Sequence, residues 1–452
     1  MSTPGKQISR RGFLKRSALG GAGGILLGGF LRHAYGGPNA DWRKQSPNEK
    51  LNIGCIGTAN RAGADIDGVK SENIVALCDV DEHYLETAGK KFPKAEKYRD
   101  FRKMLERKDL DAVVVATPDH LHAPASIMAM KLGMHVYCEK PLAHSVYETR
   151  LMARTAAECQ RVTQMGTQIH AGKNYRRVVE IVQSGAIGKV TECRVWCPKN
   201  WANGRFVKSD KPVPATLDWD LWLGPAPERA YQPGIHPGDW RRFWDYGNGT
   251  LGDMGCHFMD LPFWALKLRH PDLVVAEGPA VDPVGAAESL TVAWTYPARE
   301  EMPAVKVSWY DGKAPASMLA AFTVKGGVLA PREKENRWES GVLFMGDKGM
   351  LLADYDRYRL FPDEQFAGFK APAPTIPDSI GHHAEWIDAC KKGGATTCNF
   401  DYSGALSEAI LLGNVAFRTG KPINWDGENL KARDCPDADA FIRREYRKGW
   451  EM

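Results

Sequence analysis

The chain has 452 residues, 43% hydrophobic and 25% charged, and at about 100–200 residues per domain it has room for two or three domains with buried cores. That composition, with no apolar run of roughly 20 residues, excludes collagenous, disordered and polytopic membrane classes and predicts a soluble protein. Six cations (Lys6, Arg10, Arg11, Lys15, Arg16 and Arg32) lie in the first 37 residues, which hold no acid; without them the net charge of +5 falls to −1, leaving no electrostatic footprint for DNA or RNA.

The N-terminus carries Ser9-Arg10-Arg11-Gly12-Phe13-Leu14-Lys15, then a glycine-diluted apolar stretch over 17–31 and small residues around 34–37. This resembles a twin-arginine signal peptide, with a basic disordered tail as the alternative reading. Residues 1–37 are therefore expected to be an export signal, cleaved near Gly36 or Ala40, and 38–50 a linker. The resemblance implies a periplasmic or otherwise exported protein, with no stable membrane span after cleavage and folded before it travels.

From 51 the pattern alternates. Strands are predicted at 51–57, 73–80, 111–116, 135–138 and 162–165, and helices at 59–69, 81–92, 100–108, 124–132 and 146–159. Continuous apolar strands between amphipathic helices indicate a doubly wound parallel α/β sheet, a Rossmann domain spanning 51–170, with ligands bound beyond the carboxyl ends of its strands. The first turn, Gly57-Thr58-Ala59-Asn60-Arg61-Ala62, follows the dinucleotide fingerprint but has alanine at its second and third glycine positions. Asp79 ends the second strand, where a carboxylate accepts hydrogen bonds from ribose hydroxyls and repels a ribose phosphate, so NAD is predicted over NADP. Asp79 could instead serve as a helix cap.

Two further segments fall on the ligand edge: Thr117-Pro118-Asp119-His120-Leu121-His122 and Glu139-Lys140-Pro141-Leu142. With the later Gly252-Asp253-Met254-Gly255-Cys256-His257-Phe258-Met259-Asp260 run, they resemble the glucose-fructose oxidoreductase and inositol dehydrogenase (Gfo/Idh/MocA) family over 51 to about 425. The resemblance implies an NAD- or NADP-dependent enzyme acting on sugars, cyclitols or polyols. It implies a second α+β domain on an open, mostly antiparallel sheet (171–425), a C-terminal tail (426–452), and a homodimer or homotetramer. Carried over by position, Lys140, Asp253 and His257 are the catalytic candidates, and Gly57, Ala59, Asn60, Arg61, Asp79, Thr117, Pro118, His120, His122, Glu139, Lys140 and Gln168 the cofactor set.

In the second domain, strands are expected at 189–197, 290–296, 305–309, 342–345 and 350–352, with helices at 175–184, 382–391 and 403–418. Asp253, His257 and Asp260 fall at helical spacing on one face. A histidine there can take a hydroxyl proton with Asp253 orienting or polarising it, while Lys140 neutralises the oxyanion; a structural cap or a metal site are the other readings of the triplet. Trp201, Trp219, Trp222, Trp240 and Trp244 crowd the preceding stretch with Asp239, Arg241 and Asn248. Aromatic faces between polar groups suit sugar rings, although each tryptophan alone also reads as core. Tyr175, Arg176, Trp240, Arg241, Asn248 and His257 are the expected substrate contacts, with His170 and Asn174 behind them; His382 and His383 are assigned to packing. The ten cysteines read as buried thiols, and Cys193 and Cys197 lack partners for a zinc site, so no metal is predicted.

Free NAD is scarce outside the cytoplasm, so an exported enzyme of this kind must keep its cofactor. The sequence therefore predicts an oxidoreductase transferring a hydride between tightly bound NAD and a secondary hydroxyl of a sugar or polyol. The alternatives are an NAD-dependent glycoside hydrolase that transiently oxidises a ring hydroxyl, and a non-catalytic sugar-binding protein.

Overall fold

A computed structural model describes residues 49–312 and 338–452. The twin-arginine motif and both suggested cleavage positions lie outside the described residues.

The first half is built as β1 (Asn52–Ile56), α1 (Arg61–Val69), β2 (Asn73–Cys78), α2 (Glu82–Lys91), β3 (Glu96–Tyr98), β4 (Ala112–Val115), α3 (His122–Lys131), β5 (His135–Cys138), α4 (Val146–Cys159) and β6 (Thr163–Met165). Its strands pair in parallel in the order β3-β2-β1-β4-β5-β6. The order reverses between β1 and β4, and a crevice opens there at the strand carboxyl ends. Central strands such as β4 are buried throughout, which is why they read as unbroken apolar runs rather than alternating ones. Asp81 and Asp100 cap the helical turns that follow them, and Ser145 with Glu148 forms a capping box on α4.

Two elements differ from the sequence reading. β3 is three residues long, two of them charged, too short to show a period. The helix expected at 100–108 is a single turn, Phe101–Met104. Arg107 sits between Glu96 at 2.5 Å and Asp109 at 2.6 Å, where the chain already turns toward β4.

The second half adds α5 (Lys173–Gln183), β7 (Val190–Cys197), α6 (Trp219–Leu223), α7 (Gly249–Phe258), α8 (Asp260–Ala265), β8 (Leu273–Glu277), β9 (Thr291–Tyr296), β10 (Val305–Asp311), β11 (Gly341–Gly346), β12 (Met350–Ala353), β13 (Tyr358–Phe361), α9 (His382–Lys392), α10 (Phe400–Thr419), β14 (Ile423–Asp426), β15 (Lys431–Arg433) and α11 (Asp439–Ile442). Its described strands form an open sheet, β13-β12-β11-β7-β10-β9-β8-β14-β15, antiparallel except where β7 meets β10. One hydrophobic core runs from Ile56 and Val113 of the first sheet to Phe258, Val292 and Leu406.

The two halves are less separable than the sequence suggests. Trp386 and Ile387 of α9 pack with Leu51, Ile53, Val114 and Tyr137, so residues 382–392 cover a face of the first sheet. Residues 426–452, read above as a tail, carry β15 and α11 and then fold back onto the first domain through Arg444 and Tyr446, which both bond Glu148. All ten cysteines are free thiols. Among the described residues, no helix is long and apolar enough to cross a membrane.

Candidate active site

The crevice is a cleft of about 1020 Å³, partly open to solvent, bounded by the turns after β1, β2, β4 and β5 and roofed by residues of the irregular stretch before α7. Gly57 turns at φ +89°, and a Cβ there would sit 2.4 Å from the Ala116 carbonyl oxygen, so only glycine fits. Asn60, at φ 54°, gives α1 no side-chain cap. The turn itself satisfies two of the first amides of the helix, Ala62 N donating to the Ala59 carbonyl at 3.1 Å and Gly63 N to that of Asn60 at 3.2 Å. Asp79 Oδ2 accepts from Thr58 N at 2.9 Å and Thr58 Oγ1 at 2.8 Å, and Oδ1 accepts from Asp81 N at 3.0 Å. Burial raises its pKa against these bonds. Asp79 thus holds the glycine turn in shape while lining the cleft.

Thr117 and Pro118 also line it, and Thr117 Oγ1 is buried without a partner among the described residues. A tight glycine turn, a helix N-terminus without a side-chain cap, a carboxylate at the end of β2 and an orphaned hydroxyl together fit NAD. Ala59, Asn60, Arg61 and Glu139 lie on the same cleft. Arg61 is committed to protein carboxylates, donating from Nε to Glu139 Oε1 at 2.9 Å and from Nη2 to Asp65 Oδ1 at 2.9 Å.

At the β5 end, Lys140 Nζ donates to Asp253 Oδ1 at 2.5 Å and to the Asp253 carbonyl at 3.1 Å. Arg241 Nε donates to the same Oδ1 at 3.1 Å, and Trp201 Nε1 to Oδ2 at 2.7 Å. The Arg241 guanidinium lies over the Trp240 ring, 4.1 Å from its centroid. Burial alone would raise the Asp253 carboxyl, but the charges of Lys140 and Arg241 outweigh it and hold the group well below the usual range. The aspartate therefore orients Lys140 and Arg241. Among the described residues it makes no hydrogen bond to the His257 ring, so it does not orient that imidazole and reaches it only through its charge.

His257 has no ring hydrogen bond among the described residues, and burial, then the Lys140 charge, lowers its pKa to about 4. The imidazole is neutral at neutral pH and free to accept a proton. As a base it works deprotonated, so its activity is present above that pKa and lost as the pH falls through it. The acid limb of kcat/KM should lie near pH 4, well below the 6.5 of a solvated histidine. A limb near 6.5 that disappears in His257→Gln would contradict this environment.

Other expected site residues lie elsewhere. His120 is enclosed, its nitrogens 2.8 Å from the Trp222 carbonyl and 3.3 Å from that of Tyr246, which positions the roof and leaves no face for a cofactor. His122 spans the two ligand-edge loops, 2.8 Å from the carbonyls of both Pro141 and Thr117. Gln168 is bound to Glu139 Oε1 at 2.7 Å and meets the cleft only through it. Tyr175 is fully buried and donates to the His257 carbonyl at 3.2 Å. Arg176 is buried against Glu385 and the Pro377 carbonyl, and Asn248 donates to Asp119 Oδ2 at 3.0 Å. These three support the site from behind and are not placed to touch substrate.

The helical triplet also separates. A new helix starts at Asp260, whose Oδ1 is 2.9 Å from His170 Nδ1 and accepts from Tyr402 at 2.7 Å. Trp219 and Trp244 are core, whereas Trp222 and Trp240 reach the cleft. Sequence reasoning missed Tyr84, Arg99, Phe101, Leu221, His236 and Trp450, all on the cleft wall.

A model for an oxidoreductase family with an NAD-binding Rossmann fold matches residues 51–167, and its C-terminal alpha/beta domain model matches 172–283. The chain belongs to the Gfo/Idh/MocA oxidoreductase family. Among curated relatives it is 32% identical over 199 residues to a glycosyl hydrolase family 109 protein of Solibacter usitatus (strain Ellin6076), a match covering 41% of this chain and 44% of that one. The chain therefore spans less than half the length of that relative. Solved structures share the fold. The WlbA dehydrogenase of Bordetella pertussis, in complex with NADH and UDP-GlcNAcA, has a TM-score of 0.57 at 17% identity, covering 84% of this chain and 99% of that one. Levoglucosan dehydrogenase, in complex with NADH and L-sorbose, has a TM-score of 0.54 at 17% identity, covering 83% and 99%. The chain thus joins the parallel sheet of that family's NAD-binding Rossmann fold to a mixed, open second sheet.

Proposed function

We propose that this protein oxidises a secondary hydroxyl of a sugar or polyol with NAD that it retains. The observation that carries the reading is Lys140, on the cleft and fixed by Asp253, with its charge felt by a half-buried, neutral His257. Bound NAD supplies the acceptor for the hydride leaving the carbinol carbon. His257 takes the hydroxyl proton, and Lys140 stabilises the negative charge growing on oxygen. Asp253 and Arg241 keep the Lys140 ammonium aimed, and the Trp240 face suits the apolar side of a sugar ring. WlbA and levoglucosan dehydrogenase, both with carbohydrate-type ligands, support the substrate class. Ser9-Arg10-Arg11 and the residues after it support export by the twin-arginine route, and the family resemblance supports a dimer or tetramer.

A second reading is favoured by the name of the curated relative, a glycosyl hydrolase family 109 protein. Oxidation of a ring hydroxyl acidifies the neighbouring C–H bond, so the glycosidic group can leave by elimination before water adds and the hydride returns. The same His257 and Lys140 serve this scheme. Bound-cofactor absorbance and product are followed together on free sugars and aryl glycosides in deuterated water. Net oxidation leaves the cofactor reduced after one turnover until a carbonyl acceptor is added. Many turnovers on a glycoside without acceptor, with deuterium beside the oxidised carbon, would replace the first reading by the second.

A further inference from the structure

The sheet order gives the cleft two distinct ends. Glu139 and Lys140 follow β5 on one side of the switch point, whereas Arg99, Asp100 and Phe101 follow β3 on the other. With the pyrophosphate at the N-terminus of α1 and a ribose at Asp79, a dinucleotide lies with its adenine toward β3. The walls there are Arg99, Phe101, Leu221, Trp222 and, from the far end of the sequence, Trp450.

We propose that residues 443–452 form a strap that supplies a wall of the adenine site through Trp450 and slows release of NAD. Trp450 is 7% exposed, with its ring centroid 5.9 Å from that of Phe101 and the Arg102 guanidinium carbon 4.4 Å from its own. The Arg102 guanidinium covers one face of the indole, so Trp450 offers a purine its remaining apolar surface beside Phe101 and Arg99, a contact that holds bases without reading their edges.

The strap is pinned on both sides of the cleft. Arg444 donates from Nε to Glu148 Oε1 at 2.8 Å and from Nη2 to the His120 carbonyl at 2.7 Å, and Tyr446 donates to Glu148 at 3.1 Å. Arg447 donates to the Gly224 carbonyl at 2.9 Å and to the Asp220 carbonyl and Oδ1 at 2.7 and 2.5 Å. Asp220 belongs to α6, whose Leu221 and Trp222 line the same cleft. Arg447 therefore ties the end of the strap that carries Trp450 to the α6 wall. Opening the adenine end requires releasing Arg447, whereas the Lys140 end shares none of these bonds.

The test uses the full chain stripped of cofactor and measures binding rather than turnover. Trp450→Ala should release NAD about tenfold faster and bind AMP about tenfold more weakly, the size of one lost base-stacking face, with nicotinamide mononucleotide unaffected. Arg447→Ala should shift NAD and AMP in the same direction while leaving the indole in place. In the unaltered protein, amide exchange over 443–452 should slow on adding NAD or AMP but not nicotinamide mononucleotide, a readout that does not depend on any variant folding. Unchanged AMP affinity in folded Trp450→Ala, or no protection of 443–452 by AMP, would overturn the strap. Equal losses for AMP and nicotinamide mononucleotide would also overturn it, as general loosening. If the unaltered protein bound none of these nucleotides, the cofactor cleft itself would be misassigned.

Discussion

Lys140→Ala and His257→Ala should each lower turnover by about two orders of magnitude or more, the range for loss of a general base or an oxyanion-stabilising cation, with bound NAD near the unaltered content. The two variants should differ in pH dependence. His257→Ala removes the base, so the limb near pH 4 disappears. In Lys140→Ala the imidazole loses the neighbouring cation that helps depress its pKa, so the residual activity should show its acid limb moved upward. Lys140→Arg keeps the charge but exchanges a compact ammonium for a planar fork that cannot occupy the same place over Asp253, and it should rescue little. Steady-state rates across pH, with cofactor content measured on denatured protein, check all three. Near-normal turnover in both alanine variants would remove these residues from the chemistry.

Much of this site is legible in the sequence because its parts sit at strand ends, where chain order dictates position. Gly57, Asp79, Thr117 and Lys140 follow four strands of one parallel sheet, and a parallel sheet gathers its carboxyl ends at one edge. The α7 residues Asp253 and His257 are legible as helix neighbours, but their partners are not. Spacing alone suggests that Asp253 serves His257; tertiary packing brings Lys140, Arg241 and Trp201 to it first. Helical spacing also joins Asp260 to the set, yet the chain starts a new helix there and gives that carboxylate to His170 and Tyr402. Arg176 and Tyr175 follow the last Rossmann strand, as cleft residues do, but α5 turns them inward toward α9 and α7. Trp450 lies 371 positions beyond Asp79 in the sequence, with no local period to place it on the same cleft. Such contacts arise only when the whole chain has folded.

Asp253→Ala is expected to be the most destabilising single change at the site, at about 3–5 kcal/mol, because it strips the counter-charge from buried cations instead of merely removing a contact. The Lys140 and Asp253 side chains are only 9% and 7% exposed, and Arg241 is 21% exposed on the same carboxylate. Without it, two cations face each other with little water to screen them, and the Trp201 N–H loses its acceptor. Asp253→Asn keeps an acceptor but not the charge, and should fall between. An ion pair of this kind is not itself a strong stabiliser, since both charges were desolvated to form it. Replacing Lys140 and Asp253 together, Lys140→Met with Asp253→Leu, should therefore recover part of the stability lost in Asp253→Ala, since only Arg241 and the Trp201 N–H then lack their acceptor, while turnover stays absent. Urea unfolding of the four proteins, paired with rates, separates the two roles. If Asp253→Ala unfolded within 1 kcal/mol of the unaltered protein, the carboxylate would not be the anchor of Lys140 and Arg241. If the double variant stayed as unstable as the single one, the unpaired Lys140 charge would not account for the loss.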